Sequence, residues 1–254
     1  LPGKVEVFYR EHNMHKEEIR NSTDLRLRCK GKYIIGIEGD DFWTDPLKIQ
    51  KQIDFLENHP EYIAVAHNCM VVDKNSEQID EVYQECRDNE YTLEHFVSEI
   101  MPGQLATLMY RNPNLNDDID EELMYKSLIP GDRLIYFSLA VSGRIFCMQE
   151  IMSAYRHIKT EGSSFSANLK YNFLSSENWA EEICKYAEKI GNKKAIKYAK
   201  LLYVRNLMIA LKQGDCDKKQ VLNCFKKVNG NLGTIVLYVK CWVKHHILHS
   251  KIWV

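Results

Sequence analysis

No C-x-x-C pair occurs among the eight cysteines of this 254-residue chain. Scattered cysteines in a chain this long read as reduced thiols of a cytosolic protein, not as a disulfide framework or a zinc site. A run of about 18 uncharged apolar residues is also missing, which argues against a transmembrane helix. Formal net charge is −1, so no global basic field points to nucleic acid as a partner. Neither an initiator Met nor a signal sequence opens the chain, which starts Leu1-Pro2-Gly3. The expectation is a piece of a longer protein. There is no internal repeat and no low-complexity tract.

Hydrophobic residues make up 45% and charged residues 27%, the balance of a folded globular protein. The length suits one large domain or one domain with an appendage. Residues 5–9 form a short β-like run, residues 14–29 are helix-compatible, and residues 32–38 form a second, nearly continuous apolar run. Such runs suit strands covered on both faces, as in parallel sheets. Thr44-Asp45-Pro46 reads as a helix start, with Thr44 or Asp45 as cap and Pro46 at the first helical position. The helix that follows places Ile49, Ile53 and Leu56 on one face and ends before Pro60. A third strand covers residues 62–72, closed by Asp73-Lys74-Asn75. A short helix near 93–99, a strand at 105–111 and an acidic helical segment around 118–127 come next. Asp132 opens an apolar helix that closes at Gly143, and residues 144–156 read as two short strands.

This order predicts a layered α/β domain over residues 1–172. From Glu177 onward strand signals vanish, and helical segments are punctuated at Gly191, Gly214, Gly230 and Gly233. Residues 173–254 are therefore expected as a C-terminal helical appendage.

Chemistry concentrates where the run 32–38 ends. Ligands bind beyond the carboxyl ends of strands in open α/β sheets, and Glu38, Asp40 and Asp41 stand at such an end. Adjacent carboxylates repel unless a cation or hydrogen bonds intervene. Hard oxygen ligands suit Mg²⁺ or Mn²⁺, which also bind phosphate oxygens. A solvated turn with Asp side chains capping local N–H groups is the plainer reading, and the two carboxylates alone do not decide between them.

The stretch Gly31-Lys32-Tyr33-Ile34-Ile35-Gly36-Ile37-Glu38-Gly39-Asp40-Asp41-Phe42-Trp43-Thr44-Asp45-Pro46-Leu47-Lys48, continuing through Gln52 and Phe55-Leu56-Glu57, resembles bacterial family-two glycosyltransferases of the GT-A fold. The likeness extends through residues 105–111, Gly131-Asp132 and Tyr155-Arg156, roughly the first two-thirds of the chain. It implies a GT-A-type (Rossmann-like) layered sheet lacking its first strand-helix-strand unit, the one that binds base and ribose. It also implies an inverting, metal-dependent transfer of a sugar from a nucleoside-diphosphate sugar to a hydroxyl of a glycan or lipid-linked acceptor, in surface polysaccharide synthesis.

By that resemblance Asp41 ligates Mn²⁺ or Mg²⁺, Asp40 contacts the metal or the ribose, and Asp132 is the base. An Asp at a helix start is also a favoured cap, and both roles can coexist. Tyr155-Arg156-His157 with Gly162-Ser163-Ser164 resembles the loop that closes on the diphosphate, with Arg156 and Ser163 as donors. Many relatives have a His two residues after that Arg. Here Ile158 stands there and His157 comes one residue earlier, so an exposed His on a loop is the plainer reading of His157 beside a metal ligand. Trp43 suits a sugar face or a core anchor equally, and Thr107 and Arg111 match a strand near the acceptor site or a half-buried edge.

A nucleotidyltransferase would need a Gly-rich nucleotide loop near its start, and none is present. A non-catalytic glycan-binding or scaffolding protein on the same fold is the remaining alternative. Seven lysines against one acidic residue fall between Cys216 and Val254, so residues 233–254 could lie as a basic helix on a membrane surface or simply pack with a wet lysine face. His245 and His249 stand at i, i+4, a weak metal signal without a neighbouring carboxylate motif.

Overall fold

The computed structural model describes residues 5–11, 21–115, 131–158 and 173–250. In chain order its elements are α1 (Asn21–Leu27), β1 (Tyr33–Ile35), β2 (Phe42–Trp43), α2 (Lys48–Asn58), β3 (Tyr62–Val72), β4 (Glu90–Tyr91) and α3 (Leu93–Val97). They continue with β5 (Met109–Arg111), α4 (Gly131–Ser142) and β6 (Arg144–Arg156), then α5 (Phe173–Lys189), α6 (Lys193–Gln213), α7 (Lys218–Lys227) and α8 (Leu232–His246). The class is mixed α/β.

One sheet runs in the order β1-β5-β3-β6-β2, with β4 also paired to β6. Among the described strands, β3 and β6 pair in parallel, whereas β1–β5, β5–β3, β6–β2 and β6–β4 are antiparallel. The fully parallel sheet suggested by the apolar run 32–38 is therefore not what forms. That run yields a three-residue strand with Ile34 buried, and Ile37 is exposed beyond it. The β-like run at 5–9 is not a strand.

β3 matches the expected span residue for residue, and its two faces serve two cores, with a register irregularity between Tyr62 and Ala64. Ala64 and Ala66 belong to a large apolar cluster with Phe96, Tyr136 and Phe137, whereas Tyr62 and Val65 pack on the other face with Leu56 and Met109. Residues 144–156, expected as two strands, form one strand of 13 residues. The apparent break is a bulge. His67 pairs with Met148 but Asn68 with Ile151, and Asn68 Nδ2 donates to Gln149 O at 3.0 Å to fill the gap.

α2 begins two residues later than its Pro suggests. Asp45 does not cap it: Asp45 Oδ1 accepts from Leu47 N at 2.7 Å, forming an Asx turn that delays the helix. Its buried row is Lys48, Gln52 and Leu56, and Ile49 is exposed. Polar groups can occupy that row because each is satisfied. Gln52 Nε2 donates to Val65 O at 3.1 Å and Thr107 O at 2.8 Å, and Lys48 Nζ donates to Gln52 Oε1 at 2.9 Å. Residues 105–107 are a single 3₁₀ turn before β5, not strand.

The helices after residue 173 share the large cluster with the sheet: Phe137 meets Tyr186 edge-on, and Tyr203 and Leu207 are buried. Asn192 caps α6, Asp217 caps α7 and Asn231 caps α8. Gly214 closes α6 in the left-handed region, but Gly233 lies inside α8 and does not interrupt it. α8 ends at His246, so His245 and His249 do not share a helix face. Among the described residues, no helix is long and apolar enough to cross a membrane.

Gln52 ties α2 to both β3 and the turn before β5. We expect Gln52→Leu to cost about 2–3 kcal/mol by removing two buried hydrogen bonds and the partner of Lys48. Urea denaturation checks this, and a loss under about 0.5 kcal/mol would mean that the bridge contributes nothing net.

Candidate functional site

β1, β3 and β6 run in the same direction, since β1 is antiparallel to β5, β5 to β3, and β3 parallel to β6. Their carboxyl ends therefore face one edge of the sheet, which brings residues 36–41, Val72 and Arg156 together. The turn after β1 is closed by Asp41 N donating to Glu38 O at 3.2 Å. A Cβ added at Gly39 would meet nothing within 4 Å, so the turn's mouth is open.

Asp41 is nearly buried, and both its oxygens are held. Oδ1 accepts from Arg156 N at 2.9 Å, and Oδ2 accepts from Gln104 Nε2 at 2.8 Å. Burial raises the Asp41 pKa against the lowering pull of those two hydrogen bonds. Gln104 Nε2 also reaches Glu38 Oε2 at 3.2 Å. Burial raises Glu38 most, and the charges of Asp41, Asp40 and Asp132 raise it further. Asp132 is thus close enough to Glu38 to act on its charge. Asp40 is exposed.

Arg156 straps this turn to its neighbour. Nε donates to Asp40 O at 2.9 Å, Nη1 to Asp73 O at 2.8 Å and Lys74 O at 3.1 Å, and Nη2 to Ser76 Oγ at 2.9 Å. In this conformation its guanidinium serves protein acceptors and fixes Asp40 and Asp41 in place. Ser163 lies outside the described residues.

Asp132 is the second residue of α4, and its Oδ1 accepts from Arg133 N at 2.8 Å. Next to it Arg133 lines a cavity of about 390 Å³ with Glu81, Tyr83, Glu99, Tyr155 and His157. Tyr83 packs edge-on against Tyr155, and His157 stacks on Tyr155 and pairs with Glu81 at 2.5 Å. The cavity therefore offers aromatic walls and charges of both signs beside Asp132.

Trp43 is half-buried. Its indole N–H donates to Ala106 O at 3.1 Å, and the Lys48 ammonium lies 4.6 Å from the ring centre. Thr107 is fully buried, with its hydroxyl donating to Gln104 O at 2.7 Å. Both residues thereby brace the turn that aims Gln104 at Asp41. Gly103 is needed there, since a Cβ would come within 2.2 Å of Thr107 Oγ1 and 2.7 Å of His67 O. Arg111 holds Leu56 O and Tyr62 O, a structural task. Gln104 escaped sequence reasoning because it lies 63 residues from Asp41 and belongs to no motif.

A second cluster lies elsewhere. Among the described residues, only Cys86, Asp88 and His95 bring three potential metal-ligand atoms within 4.8 Å of one another. Thr92 N donates to His95 Nδ1 at 3.1 Å in a capping box, so Nε2 carries the proton and donates to Asp88 Oδ2 at 2.9 Å. A metal would need that nitrogen's lone pair, and the trio is a hydrogen-bonded couple beside a buried thiol. All eight cysteines are free.

No family model matches the chain. It is similar to uncharacterized protein Mb1547 of Mycobacterium bovis and to uncharacterized proteins MT1570 and Rv1520 of Mycobacterium tuberculosis, each 29% identical over 136 residues. The matched stretch covers 54% of this chain and 38% of each relative.

Glu85, beside the cavity-lining Gln84, is a buried carboxylate whose Oε2 accepts from Cys69 N at 3.1 Å. Its Oε1 meets Arg87 as an ion pair at 3.2 Å but without hydrogen-bond alignment. Burial pushes the Glu85 pKa up from 4.5 to about 7. Between those values the folded state binds more protons than the unfolded chain, so this group's contribution to stability falls as pH rises. Relative to wild type, Glu85→Gln should gain up to about 3 kcal/mol as pH rises across that window. Denaturation at the two ends of the window checks it; a stability difference independent of pH would refute the assignment.

Proposed function

We propose that this chain carries the metal-diphosphate and base side of an inverting glycosyltransferase of GT-A type, which uses a nucleoside-diphosphate sugar. One observation carries the reading: the acidic turn Glu38–Asp41 stands at the shared carboxyl ends of β1, β3 and β6, and the charges of Asp40, Asp41 and Asp132 all act on Glu38. The sequence resemblance assigns metal roles to Asp40 and Asp41 and the base role to Asp132, far along the chain, and Glu38 of the acidic turn feels the charges of all three.

The donor set fits a small divalent cation. Carboxylate oxygens are hard ligands suited to Mn²⁺ or Mg²⁺, and Arg156 approaches the turn through a backbone amide and a carbonyl, leaving carboxylate lone pairs open. Asp41, with Asp40, would hold the ion, which when bound supplies Lewis-acid neutralisation of a departing diphosphate. Gln104 and the Arg156 amide fix the direction of the Asp41 carboxylate, so little reorganisation is left for the moment of reaction.

Asp132 takes the proton of the acceptor hydroxyl. The acceptor oxygen then bonds to the anomeric carbon while the bond from that carbon to the diphosphate oxygen breaks, with its electron pair leaving on the nucleoside diphosphate. Attack opposite the leaving group inverts the centre. The cavity beside Asp132, walled by Tyr83, Tyr155 and Arg133, suits a sugar hydroxyl acceptor. A non-catalytic glycan-binding role would use the same cavity without turnover.

The test is hydrolysis or transfer across a panel of sugar nucleotides with Mn²⁺, repeated after chelation. We expect activity on at least one donor, its loss on chelation, and a drop of about 100-fold or more in Asp41→Ala. Asp132→Asn should keep the fold and donor binding but lose transfer by about 100-fold or more. Donor binding with no turnover by the wild-type chain would favour the non-catalytic reading, and unchanged activity in Asp41→Ala would sink the mechanism.

A further inference from the structure

α8 buries one face and leaves a second apolar face uncovered. Thr234 and Cys241 are buried, and Leu237 and Tyr238 pack against the large cluster, on the side of the helix that meets α6. That face accounts for the positions i, i+3, i+4 and i+7 from residue 234. Leu232, Ile235, Val236, Val239 and Trp242 repeat the same spacing on the outer side, with exposures from 42% to 75%. Ile247 and Leu248 extend the patch past the helix end at 57% and 70% exposure. Scattered exposed apolar residues are ordinary, whereas a stripe of seven on one helix and its exit is a contact surface.

Charge identifies the occupant. Lys240 and Lys244, both exposed, stand one turn apart along the border of the stripe. Residues 218–250 hold six lysines and no Asp or Glu, in a chain whose formal net charge is only −1. Glu181 answers Lys227 at 3.7 Å, whereas α8 itself holds Lys240 and Lys244 and no Asp or Glu. A second copy in a two-fold contact would set these lysine rows against each other with no acidic partner from the same region. An anionic lipid surface offers what both features need: acyl chains for Val239 and Trp242, and phosphate headgroups for the lysines. His246 stacks on Trp242 with ring centres 4.7 Å apart, which holds the indole in the stripe, at the depth where amphipathic rings settle.

We propose that α8 lies in the plane of an anionic membrane surface, with Leu232, Ile235, Val236, Val239 and Trp242 inserted and Lys240 and Lys244 at the headgroups. This stands apart from the transferase reading, because it requires neither donor nor metal.

Flotation of the chain with vesicles tests it, comparing phosphatidylglycerol–phosphatidylcholine mixtures with pure phosphatidylcholine at low and high salt. Expected is binding to the anionic vesicles, weakened by salt. Val239→Glu with Trp242→Glu should reduce partitioning about tenfold or more. Lys240→Glu with Lys244→Glu should do the same on anionic vesicles. All four side chains are exposed, so an unchanged melting curve separates lost binding from lost folding. Absence of binding to anionic vesicles, or binding that survives the Val239→Glu, Trp242→Glu change, overturns the proposal. A dimer in sedimentation equilibrium that this double change dissolves assigns the face to a second copy and overturns it equally.

Discussion

The parallel pairing of β3 with β6 is the constraint on which the rest depends. Parallel neighbours cannot be joined by a tight turn, so the chain between Val72 and Arg144 must make a long excursion. That excursion contains β4 and β5, which pair within the sheet, and α3 and α4, and it brings Asp132 near enough to Glu38 for its charge to act there. The register then sets Val72 opposite Arg156. From there the Arg156 amide reaches Asp41 and its guanidinium reaches the turn at Asp73 and Lys74. A one-residue slip of β6 would turn Arg156 to the other face and release the acidic turn.

Buried polar groups, more than apolar packing, give the site edge its shape. Lys48, Gln52, His67, Glu85 and Gln104 are all buried, and each sits where an apolar residue would satisfy the hydrophobic term alone. Burial pushes Lys48 down to about 7 and His67 down to about 4, so near neutrality Lys48 is about half protonated and His67 is neutral. The sign for Lys48 opposes that for Glu85. A lysine whose folded value lies below its unfolded one adds stability as pH rises from about 7 to 10.5, the range where the unfolded chain alone stays protonated. The two limbs together place the least favourable ionisation balance of these groups near neutral pH.

Much of this could be read along the chain where local chemistry decided the outcome. The span of β3 was legible because its run is largely apolar, being buried on both faces, and Asp73 closes it. Asp132 near the start of α4 and Gly143 at its end were legible for the same local reason. Tertiary demands erased other signals. Ile49 carries the helical period, yet the buried row of α2 belongs to Lys48 and Gln52, which have acceptors and donors waiting on β3 and the Gln104 turn. Pro46 suits a first helical position, but Asp45 captures Leu47 N first. Glu38, Asp40 and Asp41 announced an acidic turn; Gln104 and the strap of Arg156 did not announce themselves, because hydrogen bonds spanning 63 and 115 residues leave no periodicity.

Arg156 shows how a residue type can be read correctly for its chemistry and still act through another group. A guanidinium suits phosphate because its donors lie in a planar fork, and the same fork suits clustered carbonyls. Here Asp40 O, Asp73 O and Lys74 O present three acceptors from two adjoining turns. Satisfying them joins the acidic turn to the turn after β3, where Ser76 takes the left-handed conformation with φ 67°. Moving Arg156 onto a diphosphate would release those carbonyls and free both turns at once. Holding Arg156 where it is keeps the Asp41 carboxylate fixed between the Arg156 amide and Gln104. Arg156 thus positions the acidic turn in this structure, and the Arg133 guanidinium belongs to the lining of the adjoining cavity.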